Sequence, residues 1–210
     1  MPSTTSERVW YGAYGSNLLR KRFLCYLEGG RYLPDHPEQV GARDSQKPGQ
    51  MSPLVHGPWS LSFGLSSKRW AGGVAFLEPD LDEGACLRCW DITQEQFMDV
   101  AAQENGFDPG EIKIDIDEII HQGELSIGDT WYSRVVYLGK YCGQPLLTFT
   151  SPTPPDPMPP GEPYLSAILN GFVEASPNQK EGHIDRLMRA RGVTPTWTRD
   201  AIARLVKPET

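Results

Sequence analysis

Two places in this sequence carry residue types able to do chemistry: one carboxylate set where an apolar side chain belongs, and one glycine-broken stretch that offers main-chain N–H groups. The carboxylate is Glu104. Phe97, Val100 and Ala101 mark the buried face of a helix at i, i+3 and i+4, and the next position on that face, i+7, is Glu104. Partial burial disfavours its charge, and the carbonyl-rich end of its own helix disfavours it further, so both would raise its pKa. A nearby cation or N–H donor would act in the opposite sense. Where the first two dominate, Glu104 both takes and gives a proton near neutral pH. A small rotation of the helix would instead carry it into solvent.

The glycine-broken stretch is Tyr11-Gly12-Ala13-Tyr14-Gly15-Ser16-Asn17-Leu18. Val9, Trp10 and Tyr11 suit a strand, Gly12 and Gly15 permit tight backbone angles, and Ser16 or Asn17 can cap a following helix. A strand, a turn and a helix start leave several N–H groups aimed at one place, which favours a carboxylate or the oxyanion of a reacting carbonyl. The spacing is neither G-x-G-x-x-G nor G-x-x-x-x-G-K-[ST], so a nucleotide-phosphate cradle is not indicated. Turns of this kind also occur with no ligand at all.

The elements that must position these residues follow from periodicity. Leu19, Phe23 and Leu27 recur at helical spacing after the first turn, and Gly29-Gly30 ends that helix. Residues 1–7 are polar and expected to be loose. The segment from Arg31 to Pro58 has no periodicity and reads as a surface excursion in which Arg43 and Asp44 form a solvated pair. Strands are expected at Trp59–Phe63, Gly73–Leu77 and Ala85–Ile92. Thr93-Gln94-Glu95-Gln96 has the form of a capping box, which starts the Glu104 helix near Gln94, and Asn105-Gly106 ends it. Ile112, Ile114 and Ile116 alternate with Lys113, Asp115 and Asp117, which predicts a half-buried strand over Glu111–Ile120. Further strands are expected at Val135–Leu138 and Pro145–Phe149. Seven prolines between Ser151 and Pro163 make a stiff extended arm, either a linker or a wall across a site. Helices follow over Tyr164–Ala175, Ile184–Arg191 and Thr198–Val206. With no repeat and no composition break, residues 1–210 read as a single α+β domain.

Composition narrows the partners. The chain has 210 residues, a formal charge of -7 and a pI near 5.1, which argues against nucleic acid or an anionic membrane as the main partner. No apolar run approaches 18 residues and the N-terminus has no charged-then-apolar signal, so a cytoplasmic protein is expected. Four cysteines in a chain this long make no disulfide framework. Cys86 and Cys89 have C-x-x-C spacing, but on a strand they point to opposite faces and cannot share an ion. His36, His56, His121 and His183 show no ligand spacing, so no metal and no cofactor is expected.

Taken together, the two features resemble the gamma-glutamylcyclotransferase family. Tyr11 to Leu18 is similar to the family's opening Y-x-A-Y-G-S-N-L, and Gln103-Glu104-Asn105-Gly106 resembles its Q-E-G element with Asn105 inserted before the glycine. Trp70-Ala71-Gly72-Gly73-Val74-Ala75 is similar to its W-x-G-G-I-A strand entry, and Pro163-Tyr164-Leu165 to its proline-then-tyrosine segment. The resemblance spans roughly Val9 to Ala175. It implies a mixed β-barrel flanked by α-helices, with substrate held between the opening loop and the glutamate. It also implies a transferase- or lyase-type enzyme that closes a γ-glutamyl amide to 5-oxoproline and releases an amine or amino acid. Glu104 would be the catalytic acid/base, and Tyr11, Gly12, Ala13, Tyr14, Gly15, Ser16, Asn17 and Tyr164 would hold substrate. The late segment Leu146–Thr150 lacks the tyrosine of the family's animal members, which leaves the released amine open. A non-catalytic amino-acid-binding module, or an interaction domain using the proline arm and the Arg186–Arg191 helix, are the rival readings. A homodimer is left open.

Overall fold

Tyr11 sits in a strand because Val9, Trp10 and Tyr11 are all deeply buried, Val9 fully so, which a central strand covered on both faces demands. In the computed structural model, residues 7–79, 81 and 84–206 are described. Except for Glu7, the loose start expected for residues 1–7 lies outside them. In chain order the elements are β1 (Arg8–Ala13), α1 (Arg20–Glu28), β2 (Leu54–His56), β3 (Ser60–Ser67), β4 (Gly72–Glu78), β5 (Cys86–Thr93) and α2 (Gln94–Glu104). They continue with α3 (Ile116–Gln122), β6 (Glu124–Ser126), β7 (Arg134–Tyr141), β8 (Gln144–Thr150), α4 (Glu162–Ala175), α5 (Lys180–Arg189) and α6 (Arg199–Ala203). The fold is mixed α+β. One mixed sheet has the order β2-β5-β1-β8-β7-β6, and β3 and β4 form a separate ribbon. The pairings among the described residues do not include closure of the expected barrel.

The chain groups into two compact units, each assembled from separate stretches. The first comprises the described part of Met1–Gly12, with Leu24–Ser52 and Cys89–Pro152. In it β1 runs parallel to β8, Tyr11 opposite Leu147, and β8 pairs antiparallel with β7. Helix α2 begins as the sequence requires: the Thr93 hydroxyl accepts from Gln96 N at 3.1 Å, while Gln96 Oε1 accepts from Thr93 N at 3.0 Å.

The strand expected over Glu111–Ile120 is not formed. Asp115 instead caps α3, its carboxylate accepting from Glu118 N at 2.9 Å, so that Ile116 and Ile119 lie one helical turn apart and both are buried. Gly123 ends α3 in the left-handed region at φ 89°. Ile112 and Ile114 are buried from an irregular segment. Three alternating isoleucines satisfy a strand or an extended lead-in equally, and a local Asp cap decided between them. The short strands β2 and β6 have too few residues to announce themselves by pattern.

The second unit comprises Ala13–Phe23, Pro53–Arg88 and the described part of Thr153–Thr210. Here the proline arm is strapped onto the β3–β4 ribbon. Met158 N donates to Phe63 O at 2.9 Å and Gly73 N to Pro159 O at 2.7 Å, and the Trp197 indole N–H closes on Pro160 O at 2.9 Å. The glycines at its edge are there for room: a Cβ on Gly73 would lie 2.2 Å from Met158 O, and one on Gly161 would lie 2.0 Å from Trp70 O.

Candidate functional site

Glu104 is the last residue of α2 and half-buried. Its helix is fixed at both ends and in the middle. Asp99, fully buried, accepts from Arg43 N at 2.9 Å, from Arg43 Nε at 3.1 Å and from Gly110 N at 2.9 Å. Arg43 Nη2 lies 3.0 Å from the same carboxylate, and Nη1 lies 3.1 Å from Glu95. The solvated Arg43–Asp44 pair is therefore corrected: Arg43 turns to α2, and the bond to Asp99 raises its pKa further. Asp44 instead accepts from Gln46 N at 3.0 Å. Gln103 Nε2 donates to Tyr26 O at 2.9 Å, and so holds the last turn of α2 to α1.

Beyond Glu104 the side chain of Asn105 reaches the loop before β7. Its Nδ2 donates to Ala101 O at 2.8 Å and to Tyr132 O at 3.3 Å. Its Oδ1 accepts from Thr130 Oγ1 at 2.5 Å and from Tyr132 N at 3.2 Å.

Tyr11 and the helix of Glu104 share an aromatic cluster. The Tyr11 ring stacks on Phe149 with centroids 5.2 Å apart and meets Phe97 edge-on at 6.0 Å. Phe97 lies on the Glu104 face of α2, two turns back. Tyr132 completes the cluster, its ring 6.2 Å from Phe149. Gly12 is held by its carbonyl, which accepts from Thr148 Oγ1 at 2.7 Å. Glu104, Tyr11 and Gly12 thus belong to the first unit.

Ala13, Tyr14, Gly15, Ser16, Asn17 and Tyr164 belong to the second unit. The expected side-chain cap at Ser16 or Asn17 is not made. Ser16–Leu18 is instead a 3-10 turn led by Gly15, with Leu18 N donating to Gly15 O at 3.0 Å and Leu19 N to Ser16 O at 3.1 Å. Those two N–H groups are spent inside the turn. The amides of Gly15 and Ser16 donate to no acceptor among the described residues.

Tyr164 packs directly on this turn. A Cβ on Gly15 would stand 2.7 Å from the Tyr164 hydroxyl, so only glycine admits the ring there. That hydroxyl accepts from Ala75 N at 3.1 Å, and Trp70 lies against the ring with centroids 4.9 Å apart. From below, Gly171 lets α4 touch the turn, since a Cβ there would lie 2.5 Å from Leu18 C. Buried Arg88 ties both together, one Nη1 donating to Leu18 O and to Glu174 Oε1, each at 2.8 Å. Burial lowers the Arg88 pKa, and the Glu174 carboxylate opposes that.

Asp99, Arg88 and the Asn105 bonds could not be read from spacing. Most of their partners lie far off in sequence, as in Asn105–Thr130 at 25 residues, Arg43–Asp99 at 56 and Arg88–Glu174 at 86, and none repeats a motif. Cys86 and Cys89 are buried free thiols, with burial pushing Cys86 up to about 12, while Cys142 is exposed. Among the described residues no group of three His, Cys, Asp or Glu side chains is placed to hold a metal ion, and no helix is long and apolar enough to cross a membrane.

No protein-family model matches the chain. It is 34% identical over an aligned 220 residues to histone deacetylase 5 of Arabidopsis thaliana, a match that covers 88% of this chain and 32% of that protein. The chain thus spans about a third of the length of the curated relative it matches. A solved gamma-glutamyl cyclotransferase superposes with a TM-score of 0.54 at 16% identity, over 94% of this chain and 99% of that one. An uncharacterized protein from Homo sapiens superposes with a TM-score of 0.54 at 17% identity and the same coverage. At these identities the likeness is one of fold, and the chain has a fold like that of gamma-glutamyl cyclotransferase.

Proposed function

We propose that the chain is a cytoplasmic gamma-glutamylcyclotransferase-type enzyme that needs no metal or cofactor, with Glu104 as its general acid/base. The observation that supports this most is a fold shared over nearly the full length of both chains, with a half-buried glutamate closing α2. The same reading expects the strands to close into the barrel implied by the resemblance.

The reaction uses the substrate's own nucleophile. Glu104 takes a proton from the α-ammonium, and the freed amine attacks the γ-carbonyl carbon to form the ring C–N bond. Main-chain N–H donors of the turn at Tyr14, Gly15 and Ser16 hold either the substrate carboxylate or the developing oxyanion. The original amide C–N bond then breaks as the departing nitrogen takes the proton back from Glu104, the ring nitrogen gives its second proton through the freed Glu104 carboxylate to the released amine, and 5-oxoproline leaves with that amine as an ammonium ion. Tyr11, Gly12, Ala13, Asn17 and Tyr164 complete the set of residues assigned to hold substrate in this reading. No electron is gained or lost overall.

The test is release of 5-oxoproline from a panel of γ-glutamyl amino acids and γ-glutamyl amines, followed by mass spectrometry. Glu104→Gln is expected to keep its circular dichroism and substrate affinity while turnover falls by about 10²–10⁴. An active Gln variant overturns the role of Glu104. The match to part of a deacetylase supports a second reading, an accessory amino-acid-binding module within a larger protein. Ligand binding with no product across the whole panel would favour it.

A further inference from the structure

We propose that Asn105 is a positioning residue for Glu104, a latch that holds the final turn of α2 to the loop before β7 and fixes the direction of the carboxylate. This rests on the proposed role of Glu104 and goes beyond it by naming what aims that side chain.

Helix ends fray because their last carbonyls have no partner within the helix. A general acid/base on the last residue of a helix is therefore in the worst place for aim, unless something outside the helix holds it. In this chain Gln103 ties the last turn to α1, and the next residue, Asn105, ties it to the loop before β7. The Asn105 main-chain N–H is shared between Ala101 O at 3.2 Å and Ala102 O at 3.0 Å, and its Nδ2 adds a second bond, of 2.8 Å, to Ala101 O. The carbonyls of the last turn are thereby gripped by main chain and side chain together.

The rest of the amide faces away from the helix. Nδ2 also donates to Tyr132 O at 3.3 Å, and Oδ1 accepts both from Thr130 Oγ1 at 2.5 Å and from Tyr132 N at 3.2 Å. All four hydrogen-bonding positions of the amide are filled, two as donor and two as acceptor. Each atom's partners can accept or donate in one sense only, apart from the Thr130 hydroxyl, so the amide has one orientation. The loop it grips is itself anchored. Tyr132 packs its ring on Phe149, which stacks on Tyr11 of β1. A chain of contacts thus runs from the sheet through Tyr132 and Asn105 to the residue beside the carboxylate.

Gly106 follows at φ 79°, and the chain reverses there, so that Phe107 N donates to Ala102 O at 3.0 Å. The latch residue thus occupies the one place between helix and reversal from which a short amide can reach both the last turn and the loop. Alanine keeps the backbone and loses every one of these side-chain bonds. Aspartate keeps the two acceptor contacts, loses the two donor contacts and brings a second carboxylate next to Glu104.

The experiment compares Asn105→Ala, Asn105→Asp, Thr130→Val and the Asn105→Ala/Thr130→Val pair in the 5-oxoproline assay, with Asp115→Ala as a control. Asp115 caps α3 and has no part in the latch, so its loss lowers the melting temperature with kcat unchanged. For Asn105→Ala, kcat should fall about 10- to 100-fold with KM within about two-fold, because a loosened general base costs alignment rather than affinity. Thr130→Val should have a smaller effect, and the pair should fall no further than Asn105→Ala alone. Asn105→Asp should move the acidic limb of the kcat–pH profile to higher pH, since a neighbouring like charge disfavours a second one. The proposal is overturned if Asn105→Ala keeps kcat within two-fold while Glu104→Gln is inactive, and the role of Glu104 then stands. It is equally overturned if Asn105→Ala loses kcat only in proportion to melting temperature, as the control would show. No turnover in the unsubstituted protein overturns both.

Discussion

Acid should destabilise this protein through His183, and the size of the effect can be worked out. The side chain is fully buried, its ring stacked on Phe172 with centroids 5.0 Å apart and planes 9° from parallel. Nη1 of Arg186 lies 3.2 Å from its Nδ1, and its buried Nε2 has no hydrogen-bond partner among the described residues. Burial, and then the Arg186 charge, push its pKa down to about 4, with His56 adding slightly and the Ser176 backbone opposing. In the unfolded chain the imidazole titrates near 6.5. Above that pH both states hold it neutral and it contributes nothing to the pH dependence. Between roughly 6.5 and 4 the unfolded state alone binds the proton, so stability falls as pH falls, and the loss is complete below the folded value. At pH 4.5 the loss is about 2.5 kcal/mol, a large share of the 5–15 kcal/mol on which a domain of this kind rests. Urea unfolding of the parent and of His183→Leu at pH 7 and pH 4.5 measures it. The parent should lose about 2.5 kcal/mol more than the variant over that interval. Equal losses would refute the reasoning, because they would mean that His183 already carries its proton in the folded state.

Two further outcomes follow from the framework around the site. Arg43→Ala should destabilise by about 3–5 kcal/mol because it strands the buried Asp99 carboxylate, whereas Asp99→Asn should cost only about 2 kcal/mol because the cation left behind reaches solvent; denaturant midpoints that reverse this order would count against the desolvation account. Gly171→Ala should cost about 1–3 kcal/mol and abolish turnover together, since its new Cβ meets the Leu18 backbone, which cannot rotate away; a variant with native stability and native 5-oxoproline release would show that α4 does not set the turn.

What could be read from sequence divides by the range of the interaction. The Thr93–Gln96 capping box was legible because donor and acceptor lie three residues apart and both types are diagnostic. The Tyr11–Leu18 stretch was legible as strand, glycine and turn, but its cap was not: Gly15 opens a 3-10 turn, and Ser16 and Asn17 are buried rather than capping. Periodicity misled at Ile112–Ile116, where three residues cannot separate a strand from an extended approach to a capped helix. The strand order follows sequence neighbourhood only from β6 through β7 to β8, whereas β1 lies between β5 and β8, far from both in the chain.

Glu104 marks the point where both kinds of information meet. Its place on the Phe97–Val100–Ala101 face is a local property and was visible at once. The acid/base role proposed for it is not visible there, because that role needs the last turn of the helix held in place. The proposed latch joins Asn105 to Thr130 and Tyr132, and the helix beneath it is held by Arg43, 56 residues before Asp99. Long-range polar bonds of this kind carry no periodic signature, since each needs only one residue of the right type at either end. Asn105 looks, in sequence, like an inserted residue that spoils a motif. In the fold it bonds two carbonyls of the last helical turn and two partners in a distant loop, so the departure from the motif is what forms the proposed latch.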